Sequence, residues 1–224
     1  MIEYSEKDNR LVLKLVYYGP AMSGKTTNLL TLHELLTKDQ RGELMVLDTV
    51  DDRTIFFDLL PFFLVAPSGL KIKLKVYTVP GQVKHDATRK AVLQRADGVV
   101  FVADSQTCEQ ANNGVSFENL EQNLALVGID IDTIPLVIQF NKRDLPEIIA
   151  VDEINRIWSN TNIPVVLSSA LKGEGVVETF AAISGQLYEQ LDLKYALTSS
   201  HGLTRDGFVS QLISAREIVQ SEPL

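Results

Sequence analysis

The segment GPAMSGKT, residues 19–26, constrains the fold of this chain more than any other feature. It follows the pattern G-x-x-x-x-G-K-[ST] and stands between the apolar run LVLKLVYY and the leucine-spaced run TNLLTLHELL. A strand, a glycine loop and a helix in this order point backbone N–H groups and the helix N-terminus at phosphate oxygens. The predicted phosphate-binding residues are Gly19, Ala21, Met22, Ser23, Gly24, Lys25, Thr26 and Thr27.

Two side chains of this loop have specific expected roles. The Lys25 ammonium is expected to bridge β- and γ-phosphate oxygens, and the Thr26 hydroxyl to bind Mg²⁺. The alternative is a chance glycine loop that caps a helix, which the flanking strand and helix patterns disfavour. The loop alone does not distinguish ATP from GTP, so the base must be inferred from other residues.

Strand-like and helix-like runs alternate along most of the chain, which predicts an α/β P-loop fold with a mostly parallel sheet flanked by helices. KIKLKVYTV, residues 71–79, alternates polar and apolar residues and predicts a strand with one solvated face. GVVFVADS (98–105) and PLVIQFNKRD (135–144) predict buried parallel strands. Ligands of such sheets bind at the carboxyl ends of the strands, where most of the polar motifs fall.

Other elements are less sharply marked. ELMVLD, residues 43–48, predicts a strand or an extended connector. TIFFDLLPFFLV, residues 54–65, predicts an apolar strand broken at Pro61, either central and buried or weakly specified in register because it lacks clean alternation. VDEINRIWSN predicts a helix with Asp152 as its N-cap.

The sequence after the last long helix changes character. FVSQLISAREIV, residues 208–219, predicts a short amphipathic helix with Phe208, Leu212, Ala215 and Val219 on one face. So short a helix needs tertiary contact. We expect it to dock on the chain's own core; a partner, a second copy or disorder are the alternatives.

The segment NKRD, Asn141 to Asp144, follows a predicted strand and indicates the base. The Asp144 carboxylate can accept hydrogen bonds from guanine N1–H and the 2-amino group, donors that adenine lacks, and such a mismatch discriminates by factors on the order of 10⁴. Asn141 and Lys142 are expected to brace the base and the phosphate loop. Ser169 and Ala170, in SSALKGEG, lie where a backbone N–H could reach guanine O6.

Two further segments predict the groups that face the γ-phosphate. In VYTVPGQ, Gly81 could donate its N–H to this phosphate and Gln82 could orient the attacking water. Thr54, in DDRTIFF, is the threonine best placed to bind Mg²⁺ from a mobile loop, and an ordinary strand residue is an equal alternative. For Arg53, the interpretation from residue type alone is a charged side chain exposed to solvent in a loop.

Composition excludes several classes of function. The formal net charge is −8 and no basic run occurs, so we expect no nucleic-acid binding. Apolar stretches are too short to cross a bilayer, and no lipidation pattern appears, so we expect a cytoplasmic protein without a direct membrane anchor. The single cysteine, Cys108, cannot form an intrachain disulfide, which fits a reducing compartment.

In their order along the chain, GPAMSGKT, a threonine, PGQ, NKRD and SA resemble the Ras-like small GTPases over roughly residues 10–192. The segments DDRTIFFDLLP and VYTVPGQVKHDATRK are similar to the bacterial MglA group, which controls cell polarity and gliding motility. The mark of that group is threonine, here Thr78, where most Ras relatives carry aspartate.

The resemblance implies a GTP/GDP switch whose Mg²⁺ is bound by Thr26 and Thr54, whose water is positioned by Gln82, and in which Arg53 acts in cis on the developing phosphate charge. It also implies a roadblock-domain (MglB-like) GTPase-activating partner, polarity or motility effectors, and a polar location reached through partners. It divides the chain into a Ras-like domain, 1–192, and an extension, 193–224.

The resemblance leaves the Mg²⁺ site incomplete, because a neutral hydroxyl at Thr78 replaces a charge. The carboxylates of Asp48, Asp51, Asp52 and Asp58 are candidates to compensate, and the sequence does not choose among them.

Three functions compete. The leading one is a slow GTP hydrolase that acts as a switch through loops around 50–60 and 80–90. A non-hydrolysing nucleotide-binding scaffold is the second, and Gln82 and Arg53 disfavour it. An ATP-dependent kinase is the third, and NKRD disfavours it.

Overall fold

The computed structural model describes residues 3–5, 9–36, 43–47, 57–80 and 86–213. Strands and helices alternate through these ranges. The strands are β1 (Glu3–Ser5), β2 (Arg10–Tyr18), β3 (Met45–Leu47), β4 (Phe57–Val65), β5 (Lys71–Thr78), β6 (Gly98–Asp104), β7 (Leu136–Asn141) and β8 (Val165–Leu167). The helices are α1 (Lys25–Leu35), α2 (Asp86–Leu93), α3 (Gln110–Leu126), α4 (Val151–Trp158), α5 (Val176–Tyr195), α6 (Leu197–His201) and α7 (Arg205–Ile213), with a short 3-10 helix at Thr107–Glu109.

The strands form one sheet in the order β3-β4-β5-β2-β6-β7-β8, with β1 paired to β2. Strands β5, β2, β6, β7 and β8 are mutually parallel, and β1, β3 and β4 pair antiparallel. The predicted mostly parallel α/β fold is therefore confirmed. Because parallel strands end at the same edge, the loops after β2, β5, β6, β7 and β8 meet there.

Two hydrophobic cores lie on the two faces of the sheet. The first is covered by α1, α5, α6 and α7 and contains Leu29 and Phe180. The second is covered by α2, α3 and α4 and contains Leu120 and Ile154. Every residue of β6 and β7 is buried, as their continuous apolar runs predicted, because each strand gives alternate side chains to the two cores.

The expected break at Pro61 is wrong, because β4 continues through it to Val65. At Pro61 the strand pairs with Lys75 of β5, whereas β3 reaches only the other end of β4, where it pairs with residues 57–59. Proline lacks a backbone N–H and is tolerated where a strand has a neighbour on one side. Within the described residues, β4 has a neighbour on one side only at Pro61, which the sequence run alone could not show.

Strand β4 is also more regular than its composition suggests. Leu60, Phe62 and Leu64 are buried in the first core, whereas Phe63 and Val65 are exposed. The alternation is hidden in the sequence because both faces carry apolar residues. The alternative of a central strand buried on both faces is therefore excluded for this part of the strand.

Two helix boundaries differ from expectation. Ala150 is the N-cap of α4, and Asp152 lies in its first turn, where a carboxylate still favours the helix dipole. The region around 80–90, expected to be a loop, is helical from Asp86 onward in α2. None of the helices in the described ranges is long and apolar enough to span a bilayer.

The C-terminal segment docks on the chain's own core as far as it is described. Helix α7 begins at Arg205 and buries Phe208 and Leu212 in the first core. Ala215 and Val219 lie outside the described residues. Helix α5 runs across the proposed boundary at 192/193, and the division into two domains stays a prediction.

Tyr188 of α5 holds this segment in place. Its hydroxyl donates to the Leu203 carbonyl at 2.7 Å and lies 2.6 Å from Thr198 Oγ1, and its ring lies 5.7 Å from that of Phe208. Because the single hydroxyl proton goes to Leu203, the Thr198 hydroxyl donates to Tyr188. The C-terminal helices are thus fixed by both apolar burial and hydrogen bonds.

Candidate functional site

The predicted phosphate loop follows β2 and has two positions that only glycine can fill. A Cβ at Gly19 (φ 146°) would lie 2.2 Å from the Val102 carbonyl oxygen, and one at Gly24 (φ 98°) would lie 2.2 Å from Asn141 Nδ2. Any side chain would push the loop away from β6 and β7. The glycines therefore allow the backbone to lie directly on the strand ends.

Within the loop, Lys25 is buried and its Nζ donates to the carbonyls of Gly19 at 3.1 Å and Pro20 at 2.6 Å. Ser23 is fully buried, and its Oγ has no hydrogen-bond partner in the part of the chain that the structure describes. Ala21, Met22 and Thr26 are exposed, and Thr27 is half-buried in the first turn of α1. An ammonium group, an unpaired buried hydroxyl and a helix N-terminus at one loop suit phosphate oxygens.

Asn141 connects the three loops of the site. Its Nδ2 donates to the Ser23 carbonyl at 2.8 Å, and its Oδ1 accepts from the Ala170 amide at 2.8 Å. The side chain is 2% exposed, so these two bonds are shielded from water. One asparagine thus ties the phosphate loop to the loops after β7 and β8.

Asp144 is held by the loop after β8. Ser169 Oγ donates to Asp144 Oδ1 at 2.6 Å. This hydrogen bond lowers the pKa of the Asp144 carboxyl below its ordinary value, because it stabilises the charged form. The carboxylate is therefore an ionised acceptor at neutral pH, fixed in orientation by a serine that the sequence suggested only for its backbone.

Lys142 adopts a left-handed backbone conformation, φ 68°, and its ammonium pairs with the buried Asp104 carboxylate at the end of β6. Asp104 in turn accepts from the Gln106 amide at 3.0 Å. The stem of Lys142 thus lies across the gap between the ends of β6 and β7. Asp104 was not among the predicted site residues, although it ends a strand at the ligand edge of the sheet.

The backbone amides of Ser169 and Ala170 have partners within the protein. Ser169 N donates to the Glu174 carbonyl at 3.0 Å, and Ala170 N donates to Asn141 Oδ1. The Ala170 carbonyl accepts from Thr31 Oγ1 at 2.8 Å, which ties this loop to α1. The two residues are brought to the site, and contact with guanine O6 by their amides stays a prediction.

A buried network beneath the phosphate loop was missed by the sequence reasoning. Gln139 Nε2 donates to Asn28 Oδ1 and to Thr179 Oγ1, each at 2.9 Å, and Asn28 Nδ2 donates to the Gly24 carbonyl at 3.0 Å. A glutamine inside the apolar run PLVIQF was the available signal. The network links α1, β7 and α5 under the loop.

A second missed network holds α2. Arg89 is fully buried; its Nη1 donates to Asn119 Oδ1 at 2.6 Å, its Nη2 to Ser116 Oγ at 3.3 Å, and its guanidinium lies 4.5 Å from the centre of the Tyr18 ring. Asn123 Nδ2 donates to Asp86 at 2.8 Å. The polar residues of α3, three and four positions apart, share one helical face and were the available signal.

The predicted residues nearest the γ-phosphate cannot be compared with the structure. Arg53, Thr54, Gly81 and Gln82 lie outside the described residues, as do the candidate carboxylates Asp48, Asp51 and Asp52. Asp58 lies in β4, and its side chain is not described. Thr78 is the last residue of β5, and it is buried and paired in register with Tyr17 of β2.

No group of three or more His, Cys, Asp or Glu suited to a metal occurs within the described ranges. Mg²⁺ in nucleotide sites takes one or two protein ligands and completes its shell with phosphate oxygens and water. An exposed Thr26 hydroxyl at the start of α1 is compatible with that mode of binding.

Comparisons with known proteins agree with these features. The ADP-ribosylation factor (Arf) family profile matches residues 65–187, from the end of β4 into α5. Over 190 residues the chain is 45% identical to the "Mutual gliding-motility protein MglA" of Myxococcus xanthus (strain DK1622), covering 85% of this chain and 96% of that protein. It is 23% identical over 189 residues to ADP-ribosylation factor-like protein 6 of Caenorhabditis elegans, covering 80% and 89% of the two chains. It is 27% identical over 192 residues to the protein of the same name from Caenorhabditis briggsae, covering 81% and 90%.

Proposed function

Because this chain belongs to the MglA group of Ras-like small GTPases, which are GTP-hydrolysing enzymes, we propose that it is a switch whose GTP-bound form recruits cell-polarity or motility partners. The observation that carries the proposal is the Asn141 side chain, which joins the phosphate loop to the loop after β8 beside an Asp144 carboxylate held by Ser169. Base and phosphate sites are thereby held at a fixed separation.

The base site selects guanine through Asp144. Its carboxylate accepts from N1–H and the 2-amino group, and the Ser169 hydroxyl keeps it ionised and oriented. Adenine would leave this charged acceptor without donors, which costs several kcal/mol in a site built for hydrogen bonds. Lys142 and Asn141 position the loop that carries it.

The phosphate site binds GTP or GDP through the loop 19–26 and the N-terminus of α1. Lys25 exchanges its carbonyl partners for β- and γ-phosphate oxygens, and Ser23 Oγ supplies a further polar contact. Thr26 and Thr54 would hold Mg²⁺, whose positive charge would offset the negative charge of the phosphates.

Hydrolysis depends on residues outside the described ranges. Gln82 orients the attacking water, Gly81 donates its N–H to the γ-phosphate, and Arg53 acts in cis on the transition-state charge. An arginine in this role is worth roughly 10³–10⁵ in rate. Nearby, Arg89 fixes α2 against α3 and so fixes the helix that begins shortly after Gln82.

A roadblock-domain protein of the MglB kind is the proposed activating partner, and polar localisation is reached through partners. The support is the likeness to a relative named for mutual gliding motility. When hydrolysis removes the γ-phosphate, the loops that contact this phosphate are released, and the surface that a partner recognises changes.

Single-turnover hydrolysis tests the proposal. Protein preloaded with GTP is followed with and without a roadblock-domain protein encoded in the same genome. Gln82→Ala and Arg53→Ala should retain GTP and hydrolyse it at least about 10²-fold more slowly. Arg156→Ala, which removes an exposed arginine of α4, is the matched control and should behave as wild type.

Two outcomes would contradict the proposal. Wild-type protein that binds GTP but never hydrolyses it, even with the partner in excess, would favour the non-hydrolysing scaffold. Arg53→Ala with the parental rate at saturating partner would remove the cis-arginine role and leave the rest of the assignment intact.

A further inference from the structure

One surface of the sheet contributes none of the described residues of the proposed nucleotide site. It is formed by β4, β5 and the first half of β2, on the side opposite to α1, α5 and α7. Phe63 and Val65 are 43% and 55% exposed there, although both are large and apolar. We call this surface the lysine face; its residues are Arg10, Lys14, Phe63, Val65, Lys71, Lys73, Lys75 and Tyr77.

The lysine face concentrates positive charge in an acidic protein. In the register of β2 and β5, Arg10 lies opposite Lys71 and Lys14 lies opposite Lys75. Like charges directly opposite each other destabilise a sheet. Burial, together with the charges of Lys75 and Arg10, lowers the pKa of Lys73. The whole chain carries a formal net charge of −8, so this clustering runs against its composition.

Aromatic rings hold two of these ammonium groups in fixed positions. Lys73 Nζ lies 5.1 Å from the centre of the Phe63 ring, and Lys14 Nζ lies 5.1 Å from the centre of the Tyr77 ring. Cation–π attraction of this kind contributes modestly at exposed sites, and Lys14 Nζ also donates to the Gln94 carbonyl at 3.0 Å. The face thus presents ordered cations beside exposed apolar surface.

A cleft of about 160 Å³ lies at the edge of the lysine face, lined by Lys14, Lys75, Tyr77 and Arg95 among others. The cleft also contains Asp97, whose carboxylate accepts from the Lys14 backbone amide at 2.9 Å. Among the described residues that line the cleft, Lys14, Lys75 and Arg95 outnumber Asp97, and the cleft has room for one carboxylate group.

We propose that the lysine face binds an acidic segment of a partner protein, with carboxylates placed among the lysines and an apolar side chain on Phe63 and Val65. Such a segment would relieve the repulsion between opposed cations and cover the exposed apolar surface in one step. The proposal goes beyond the GTP switch and does not depend on the nucleotide site.

An anionic membrane is the other partner that this chemistry could attract, and the charge distribution disfavours it. A bilayer is an extended negative plane, so it would approach the acidic remainder of the chain as well as the lysine face. Charges within about 8 Å, the Debye length at physiological salt, would repel it. A peptide segment contacts the lysine face alone.

The test measures binding of a short fluorescent peptide of glutamates with one central leucine to the full-length chain, by anisotropy at low and physiological salt. Wild type should bind, more weakly as salt rises. Lys73→Glu should reduce affinity about tenfold, and Lys73→Gln about threefold. The control Arg156→Glu makes the same change of charge on α4 and should bind as wild type.

Circular dichroism and the unfolding temperature verify that the variants fold. If Lys73→Glu does not fold, the affinity of Lys73→Gln for the peptide tests the proposal instead. Vesicles of phosphatidylserine and phosphatidylcholine are titrated in parallel. The proposal is overturned if wild type does not bind the peptide at low salt, if Lys73→Glu and Arg156→Glu weaken it equally, or if the vesicles bind and the peptide does not.

Discussion

Strands β6 and β7 differ from strands β4 and β5 in how many of their faces are covered. In β6, Val100 and Val102 pack in the first core while Val99 and Phe101 pack in the second. In β4 and β5, the described buried apolar residues belong to the first core, and the opposite side of the two strands forms part of the lysine face. A strand fixed from both sides loses more contacts on any displacement than a strand fixed from one side.

The two pairs of strands also carry different parts of the proposed site. The residues of the proposed base site, Asn141, Lys142 and Asp144, come from the end of β7 and the residues directly after it, and Asn141 ties them to the phosphate loop. The segments proposed to respond to the γ-phosphate flank β4 and β5. A switch needs a rigid part that holds the nucleotide and a part with fewer constraints that reports its state. The comparison predicts that nucleotide affinity depends on the first pair of strands and stability or partner binding on the second.

The largest expected effect is at the end of β7. Asp144→Asn replaces one acceptor oxygen with a donor that faces the guanine donors, so GTP affinity should fall by a factor on the order of 10²–10⁴. Isothermal titration with GTP and GDP measures it. The fold should survive, because an amide oxygen can still accept from Ser169.

The control uses a changed base. Xanthosine triphosphate carries a carbonyl in place of the 2-amino group, so it should bind the Asp144→Asn variant better than GTP does. Equal affinity of GTP for variant and wild type would exclude the base assignment and remove the first half of the comparison.

The next effect separates the two faces of β4. Phe62→Ala removes a fully buried ring that lies 4.7 Å from the ring of Phe180, and it should destabilise the protein by about 3–5 kcal/mol. Phe63→Ala removes an exposed ring one residue further on and should cost less than about 1 kcal/mol. Urea unfolding measures both free energies.

The paired variants also test the register of β4. A shift by one residue would exchange the two faces of the strand, so the order of the two effects would reverse. Similar losses for both variants would mean that β4 samples more than one register in solution.

Much of this architecture could be predicted from the sequence, because its signals are local. The loop 19–26 lies between its strand and helix as the motif requires, and KIKLKVYT alternates between buried and solvated positions as its pattern predicts. Leu120 and Leu124 of α3 lie four positions apart and are buried in the second core, with Phe117 packed against it, which is the spacing of one helical face.

What the sequence could not predict depends on residues far apart in the chain. Pro61 is tolerated because of where β3 ends, which no local pattern encodes. The buried bonds from Gln139 to Asn28 and Thr179 join residues 111 and 40 positions apart, and polar residues in an apolar run do not name their partners. The Ser169 hydroxyl supports Asp144 only because β7 and β8 are neighbours.

A smaller effect concerns the C-terminal segment, which packs in the first core, on the covered face of β4 and β5. Tyr188→Phe leaves the buried Leu203 carbonyl without its donor and should destabilise the protein by about 1–2 kcal/mol. Thr198→Val removes the other partner and should cost less, because Thr198 is exposed. Urea unfolding gives the two free energies, and GTP affinity should be unchanged. A loss of GTP affinity in either variant would mean that this segment influences β6 and β7, the strands buried on both faces.

The smallest expected effect has the opposite sign. Lys75→Gln removes a charge that faces Lys14 across β2 and β5, so it should stabilise the protein by about 0.2–1 kcal/mol at low ionic strength. Salt already screens this repulsion, so the gain should shrink towards zero as salt approaches 1 M, where the Debye length is about 3 Å. Lys90→Gln is the control, because Lys90 Nζ lies 3.0 Å from Asp86 and its loss should destabilise slightly. Unfolding temperatures of both variants across a salt series measure the two trends. Stabilisation by Lys75→Gln that persists at high salt would mean that packing or side-chain entropy is responsible, and that the opposed cations on the uncovered face of β2 and β5 carry no net repulsion.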